Sequence, residues 1–189
     1  MTRHVLSGFV VMAVVVGPAV TSALPLGQLR DALKQRYPLS RIEVQSKPHE
    51  GTVIERGAVL SLEADGVPAN TLRIIQTNTK SPRFHVRDYA EVEITDEGAI
   101  RSGAGRLRLP KGTRLVVLDL KAEPDRIRLF THTADPIVVE GKPVYGCTEF
   151  VFRFHGTPLT ARDVAQVEGV IEHWLPFAGE RWRRMAGRR

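Results

Sequence analysis

Leu26, Leu29, Leu33 and Tyr37 recur at helical spacing, with Gln28, Arg30, Asp31, Lys34 and Gln35 between them, which predicts an amphipathic helix. Pro38 ends it, because a proline pushes the preceding residue out of the helical region. The period then falls to two. From Ser40 to Val44, Ile42 and Val44 take one side and Arg41 and Glu43 the other, the alternation of a half-buried strand. Val53-Ile54, a turn at Glu55-Arg56-Gly57, the run Val59 to Glu63 and a turn at Asp65-Gly66 predict a strand pair around tight turns. Leu72 to Thr77 is a further strand, and the polar, basic residues 78–88 with Pro82 read as a loop. In Tyr89 to Thr95, Ala90, Val92 and Ile94 alternate inward against outward Glu91 and Glu93. A turn at Asp96-Glu97-Gly98 follows, and Ser102-Gly103-Ala104-Gly105 reads as a flexible link.

The strongest pattern is a hairpin. Residues 114–121 (RLVVLDLK) and 126–133 (RIRLFTHT) are rich in β-branched and apolar types. Between them, Ala122-Glu123-Pro124-Asp125 carries turn residues, Pro124 presetting φ. Tyr145 to Phe154 forms the last strand. Phe150, Phe152 and Phe154 share its core face, each worth about 2–3 kcal/mol when fully buried. Cys147, Glu149 and Arg153 share the other face, which predicts a partly exposed Cys147 and places Glu149 and Arg153 outside the core. Val164, Val167, Ile171 and Trp174 then repeat at three and four, capped by Thr160 and Asp163 and stopped by Pro176. Helix, six to eight short strands, helix describes an α+β, mainly β chain. It predicts a small antiparallel barrel or curled sheet, SH3-like or OB-like, flanked by an N-terminal and a C-terminal helix.

Residues 1–23 differ from the rest. Arg3 and His4 precede the almost wholly apolar run Val5 to Val16, Gly17-Pro18 breaks any helix, and Thr21-Ser22-Ala23 supplies small residues before a cut. That order is the secretory signal-peptide pattern, and the apolar run falls short of the roughly 20 residues of a membrane span. The expected organisation is a signal peptide at 1–23, a single β-rich domain at 24–177 and a disordered basic tail at 178–189. The expected destination is the periplasm or the exterior, with an inner-membrane anchor through an uncleaved segment as the alternative.

The 189-residue chain has 42% apolar and 25% charged residues, which excludes collagen-like, disordered and multi-span membrane classes. Its formal charge is +6. The last ten residues hold five arginines against Glu180, so residues 24–179 carry 21 basic against 20 acidic side chains. A near-neutral body in an exported protein argues against nucleic acid as a partner. Cys147 is the sole cysteine, so no intramolecular disulfide forms and stability comes from the core.

The run GTVIERGAVLSLEADGV (51–67), the run LRLPKGTRLVVLDLKAEPDRIRLFTHT and YGCTEFVFRF ahead of a short helix resemble a group of exported bacterial β-rich proteins of unknown function. Those proteins pair a G-x-V-L-x-L…G-V unit with a later G-x-x-L-x-V hairpin and a Y-x-x-x-x-F-x-F strand. The resemblance covers most of the chain beyond residue 23 and implies a shared β-rich fold without an activity. Gly146-Cys147 lies outside that pattern.

Few residues point to chemistry. Cys147 is a nucleophile candidate with His132, His155 or His85 as its base, on residue type alone; the plainer reading is a small packed residue. His132, Asp135 and His155 lack the paired spacings of a metal site, and His132 reads as a strand-edge residue. Glu91 and Glu93 are a paired-carboxylate candidate that also reads as a solvated strand face. No hydrolase elbow, phosphate loop or dinucleotide fingerprint occurs, so no cofactor is expected. Arg181, Trp182, Arg183 and Arg184 interleave aromatic and basic side chains, which suits weak contact with an anionic membrane. The expected function is a non-enzymatic exported module that binds a protein or cell-envelope partner, the alternative being a Cys147-dependent enzyme.

Overall fold

The computed structural model describes residues 24–44, 51–71, 73–76, 84–87, 89–156 and 158–179. The expected signal segment and the Arg181–Arg184 stretch lie outside the described residues. The first helix, α1 (Leu26–Arg36), forms as its spacing predicts and buries Leu29 and Leu33, with Tyr37 buried just beyond it. Two strands follow, β1 (Arg41–Val44) and β2 (Gly51–Glu55), then β3 (Val59–Ser61), β4 (Val67–Thr71), β5 (Arg73–Gln76), β6 (Phe84–Arg87) and β7 (Ala90–Thr95). The chain continues through β8 (Ile100–Ser102), β9 (Leu107–Leu109) and the long hairpin of β10 (Arg114–Glu123) and β11 (Arg126–Thr133). It ends with β12 (Ile137–Val139), β13 (Lys142–Val144), β14 (Gly146–Arg153), a 3-10 turn at Leu159–Ala161 and α2 (Val164–Trp174). No helix among the described residues is long and apolar enough to cross a membrane.

Eight strands form one curled sheet in the order β3-β10-β11-β14-β4-β9, with β7 paired to β14 and β8 paired to β7. The pivotal strand is β14. Its first two residues, Gly146 and Cys147, pair antiparallel with β4, whereas Thr148 to Arg153 pair parallel with β7. The sheet therefore forks along β14. Buried threonine hydroxyls add bonds at this end of β14: Thr131 Oγ1 of β11 donates to the Thr148 carbonyl at 2.9 Å and Thr148 Oγ1 to the Pro68 carbonyl of β4 at 2.8 Å. Thr133 Oγ1 accepts from the Gly146 N–H at 3.1 Å. An unmatched buried backbone group costs about 1–3 kcal/mol, so these hydroxyls make the fork affordable.

One face of the sheet builds a contiguous core. Ile127 and Leu129 of β11, Phe150 and Phe152 of β14 and Val92 and Ile94 of β7 meet Leu29 and Leu33 of α1 and Val167 and Ile171 of α2. Asp163 caps α2, its side chain accepting from the Gln166 N–H at 2.7 Å, while Thr160 belongs to the preceding 3-10 turn. The segment after α2 covers the β3 edge: the Ser61 N–H donates to the Pro176 carbonyl at 2.7 Å and the Ala178 N–H to the Val59 carbonyl at 2.8 Å.

Several elements differ from the expectation. Fourteen strands form among the described residues, against six to eight expected, because runs of three residues are too short to show alternation. β2 pairs with β1 rather than with β3, and β3 joins β10. The cause lies at Gly57, where a Cβ would stand 2.1 Å from the Pro38 carbonyl oxygen. That close approach, with the Gly57 N–H on Ser40 Oγ at 2.8 Å, turns the chain away from its own hairpin. Residues 84–87 of the expected loop form β6 against β5. The expected flexible link is close-packed: Cβ atoms at Gly103 and Gly105 would stand 2.9 Å from the Glu91 carbonyl oxygen and 2.7 Å from the Pro68 side chain. The β7–β14 pairing is parallel, which the long excursion between those strands permits.

The face assignment on β14 gives a direct test. Phe152 is fully buried, and Phe152→Ala should cost about 3–5 kcal/mol in urea unfolding. Arg153→Ala removes partly solvated ion pairs and should cost about 1 kcal/mol or less. Equal costs would show that the two faces are misassigned.

Candidate functional site

Beyond the core face, β11 and β14 present a second row of side chains. His132 is registered opposite Cys147 on β14 and opposite Val116 on β10. Residues directly opposed in an antiparallel pair have Cβ atoms about 4.5–5.5 Å apart on one face, so the structure does bring His132 and Cys147 together. Both are sealed. Cys147 is 1% exposed and His132 fully buried, with the Tyr145 ring stacked on the imidazole at 5.1 Å. This corrects both expectations, since Cys147 is not partly exposed and His132 lies on a strand held between β10 and β14 rather than at an edge.

The electrostatics of the pair are those of neutral groups. Burial pushes the Cys147 thiol far above its ordinary range, and burial also lowers the His132 pKa against a hydrogen bond that favours the cation. That bond runs from Nδ1–H to the Thr133 carbonyl at 2.7 Å, which leaves Nε2 as the bare nitrogen, without a partner among the described residues. An activated thiolate needs a nearby cation, helix N-terminus or imidazolium, and burial supplies none of these. Glu149, expected outside the core, is instead buried and ion-paired with Arg128.

The remaining outer residues of the sheet neutralise one another. Arg153 bonds Glu93 and Asp125, both at 2.8 Å, and Arg128 lies 3.5 Å from Glu91. The bond from Arg153 holds the Glu93 carboxyl below its usual range. A general acid needs the opposite shift from that of Glu93, which serves as an ion-pair partner of Arg153, and Glu91 stands within ion-pair distance of Arg128. His155 stands eight residues beyond Cys147, about 26 Å along an extended strand, and its Nδ1 lies 3.4 Å from Asp96. Asp135 is held by Arg56 and Arg114 on the surface. His132, His155 and Asp135 therefore do not converge, and no three metal-ligating side chains cluster among the described residues.

What does gather is a groove of 660 Å³ between α2 and the turn after β7. Asp96 and Arg162 form a 2.6 Å ion pair at its floor, and the Arg162 guanidinium lies 5.1 Å from the Phe154 ring centre. Burial raises the Asp96 pKa, but the His155 N–H and the Arg162 charge outweigh it and hold the carboxyl below its usual range. Gln166, Gly169, His173 and Trp174 line the α2 wall. A Cβ at Gly169 would meet nothing within 4 Å, so the glycine leaves open space in the middle of the helix. Amide, imidazole, indole and a fixed charge pair can hydrogen-bond and stack; none is an activated nucleophile. Sequence reasoning passed over this groove, although Gly169 between Gln166 and His173 at helical spacing was a visible signal. No protein-family model matches the chain, and no curated protein or solved structure matches it.

The buried imidazole makes stability depend on pH. Its folded pKa lies below the ordinary value of about 6.5, so the unfolded chain binds the proton first. The stability from His132 is complete above about pH 6.5 and should fall by at most about 1.4 kcal/mol per pH unit below it, until the buried ring itself protonates. Urea unfolding of the wild type and His132→Phe between pH 7.5 and pH 5, roughly spanning that value, should show a shallower slope in the variant. Parallel slopes would place the proton uptake elsewhere.

Proposed function

We propose that the chain acts as an exported, non-enzymatic binding module that holds a protein or cell-envelope partner in the groove between α2 and the Asp96–Gly98 turn. The observation that carries this reading is the contrast between two sites. The reactive types, Cys147 and His132, are buried and neutral, whereas the groove is open and lined by convergent polar groups beside Trp174. In the finer reading of the fold, the curled sheet belongs to the small-barrel class, SH3-like or OB-like, with a helix flanking it at each end of the chain. Export is supported by the basic, apolar and small-residue order of residues 1–23 and by the resemblance to exported β-rich bacterial proteins. The burial of Cys147 gives the enzyme alternative no support.

Gly169 offers a clean test. Gly169→Leu fills the groove without touching the core and improves the helix propensity of α2. A photoreactive residue placed at Gln166 in the native host should form a discrete crosslinked species, and the added Gly169→Leu change should abolish it. Equal crosslinking with and without the leucine, or an equal yield from the exposed Lys34 on α1, would refute groove binding.

A further inference from the structure

The net charge of the body conceals a segregation. Residues 66–87 and 98–118 together hold nine basic side chains and no acidic one, while the rest of residues 24–179 holds 12 basic and 20 acidic. The two runs meet at one strand pair. β4 opens the first run and pairs with β9 of the second, and the chain passes from β4 into the β5–β6 ribbon. Within the second run, Lys111 is paired with Glu63 and Arg114 with Asp135. Arg101, Arg106 and Arg108 are exposed and have no carboxylate ion-pair partner among the described residues. Glu93, registered opposite Arg101, is bonded directly by Arg153 and feels the Arg101 charge only at longer range. Arg108 is registered opposite Pro68, so it shares the outer side of the fork with Arg101. In the ribbon, Arg73 is registered directly opposite Arg87.

We propose that this corner of the fork, centred on Arg101, Arg106 and Arg108, docks the protein onto a membrane surface rich in anionic phospholipid. Charge complementarity selects an anion. Apolar exposure selects a lipid surface over a nucleic acid: Tyr89 is 38% exposed at the start of β7, the strand with which β8 pairs, and Ile100 is 42% exposed at the start of β8, on the face opposite Arg101. Basic side chains beside exposed apolar and aromatic ones suit the headgroup layer, where phosphates meet the acyl boundary. The site shares none of the lining residues of the α2 groove and does not depend on the groove being occupied.

The test is sedimentation of the purified full chain with vesicles of equal parts phosphatidylglycerol and phosphatidylcholine, against phosphatidylcholine alone. Wild type should bind the mixed vesicles, weaken as salt rises and ignore the neutral ones. Each basic residue at such a surface contributes roughly a fivefold factor, so Arg101→Gln/Arg106→Gln/Arg108→Gln should weaken binding roughly a hundredfold. Lys34→Gln/Lys121→Gln/Lys142→Gln removes the same charge elsewhere on the body and should change it less than about threefold. With Arg181, Arg183 and Arg184 also changed to Gln, the difference between the two body triples should persist. Equal effects of the two triples, binding lost only with the tail arginines, equal binding to neutral vesicles, no vesicle binding, or tight binding to an oligonucleotide in place of vesicles would each overturn the proposal. All three corner arginines are exposed, so an unchanged circular dichroism spectrum is expected for their triple variant.

Discussion

One strand has to satisfy three neighbours. β14 pairs with β11 along one edge, while its other edge is shared between β4 and β7. A strand that changes partners midway must satisfy its buried backbone groups elsewhere, and here Thr148 Oγ1 serves the Pro68 carbonyl of β4 while Thr131 and Thr133 of β11 bond the Thr148 carbonyl and the Gly146 N–H. The arrangement buries β14 on both faces for seven of its eight residues. Phe150 and Phe152 then anchor the core, and whatever occupies the opposite face at Cys147 and Glu149 is taken out of water as well.

That constraint distributes the chemistry of the chain. Thiol and imidazole fall where the fork closes, so they are neighbours without being a catalytic pair. Glu149 and Arg153 fall farther along β14, where side chains of the neighbouring strands pair with their charges. Recognition is left to the periphery. The turn after β7 and the wall of α2 enclose the groove, and β8 and β9, paired to the two arms of the fork, carry their exposed arginines.

The legible parts of the sequence were those with enough turns or alternations to fix a period. Leu26 to Tyr37, Val164 to Trp174, Tyr89 to Thr95 and the 114–133 hairpin all formed close to the expected places. β4, β6, β8, β9, β12 and β13 were missed, all of them runs of three to five residues in which no alternation stood out. Alternation along Tyr145–Phe154 identified the phenylalanine face correctly. It misjudged Cys147 and Glu149, because a strand with covered faces on both sides carries no polar signature of exposure. Pairing was harder still. That β2 turns back to β1 depends on the contact of Gly57 with Pro38, a three-dimensional fact without a local pattern. The groove joins residues from Thr95 to Trp174, so composition within any one window could not reveal it. Net charge misled in a similar way, since 21 bases and 20 acids average out two runs that contain no acid.

The claim on which the rest turns is that β14 is sealed on both faces, and Cys147 reports on it directly. Native-state alkylation should be slower than in the unfolded chain by on the order of a thousandfold or more, the scale of the unfolding equilibrium. It should also accelerate in Phe152→Ala in proportion to the stability that variant loses, because the thiol is reached only through global opening. Rapid alkylation of the native protein near neutral pH, at a rate indifferent to Phe152→Ala, would contradict the sealed strand and return Cys147 to consideration as a nucleophile.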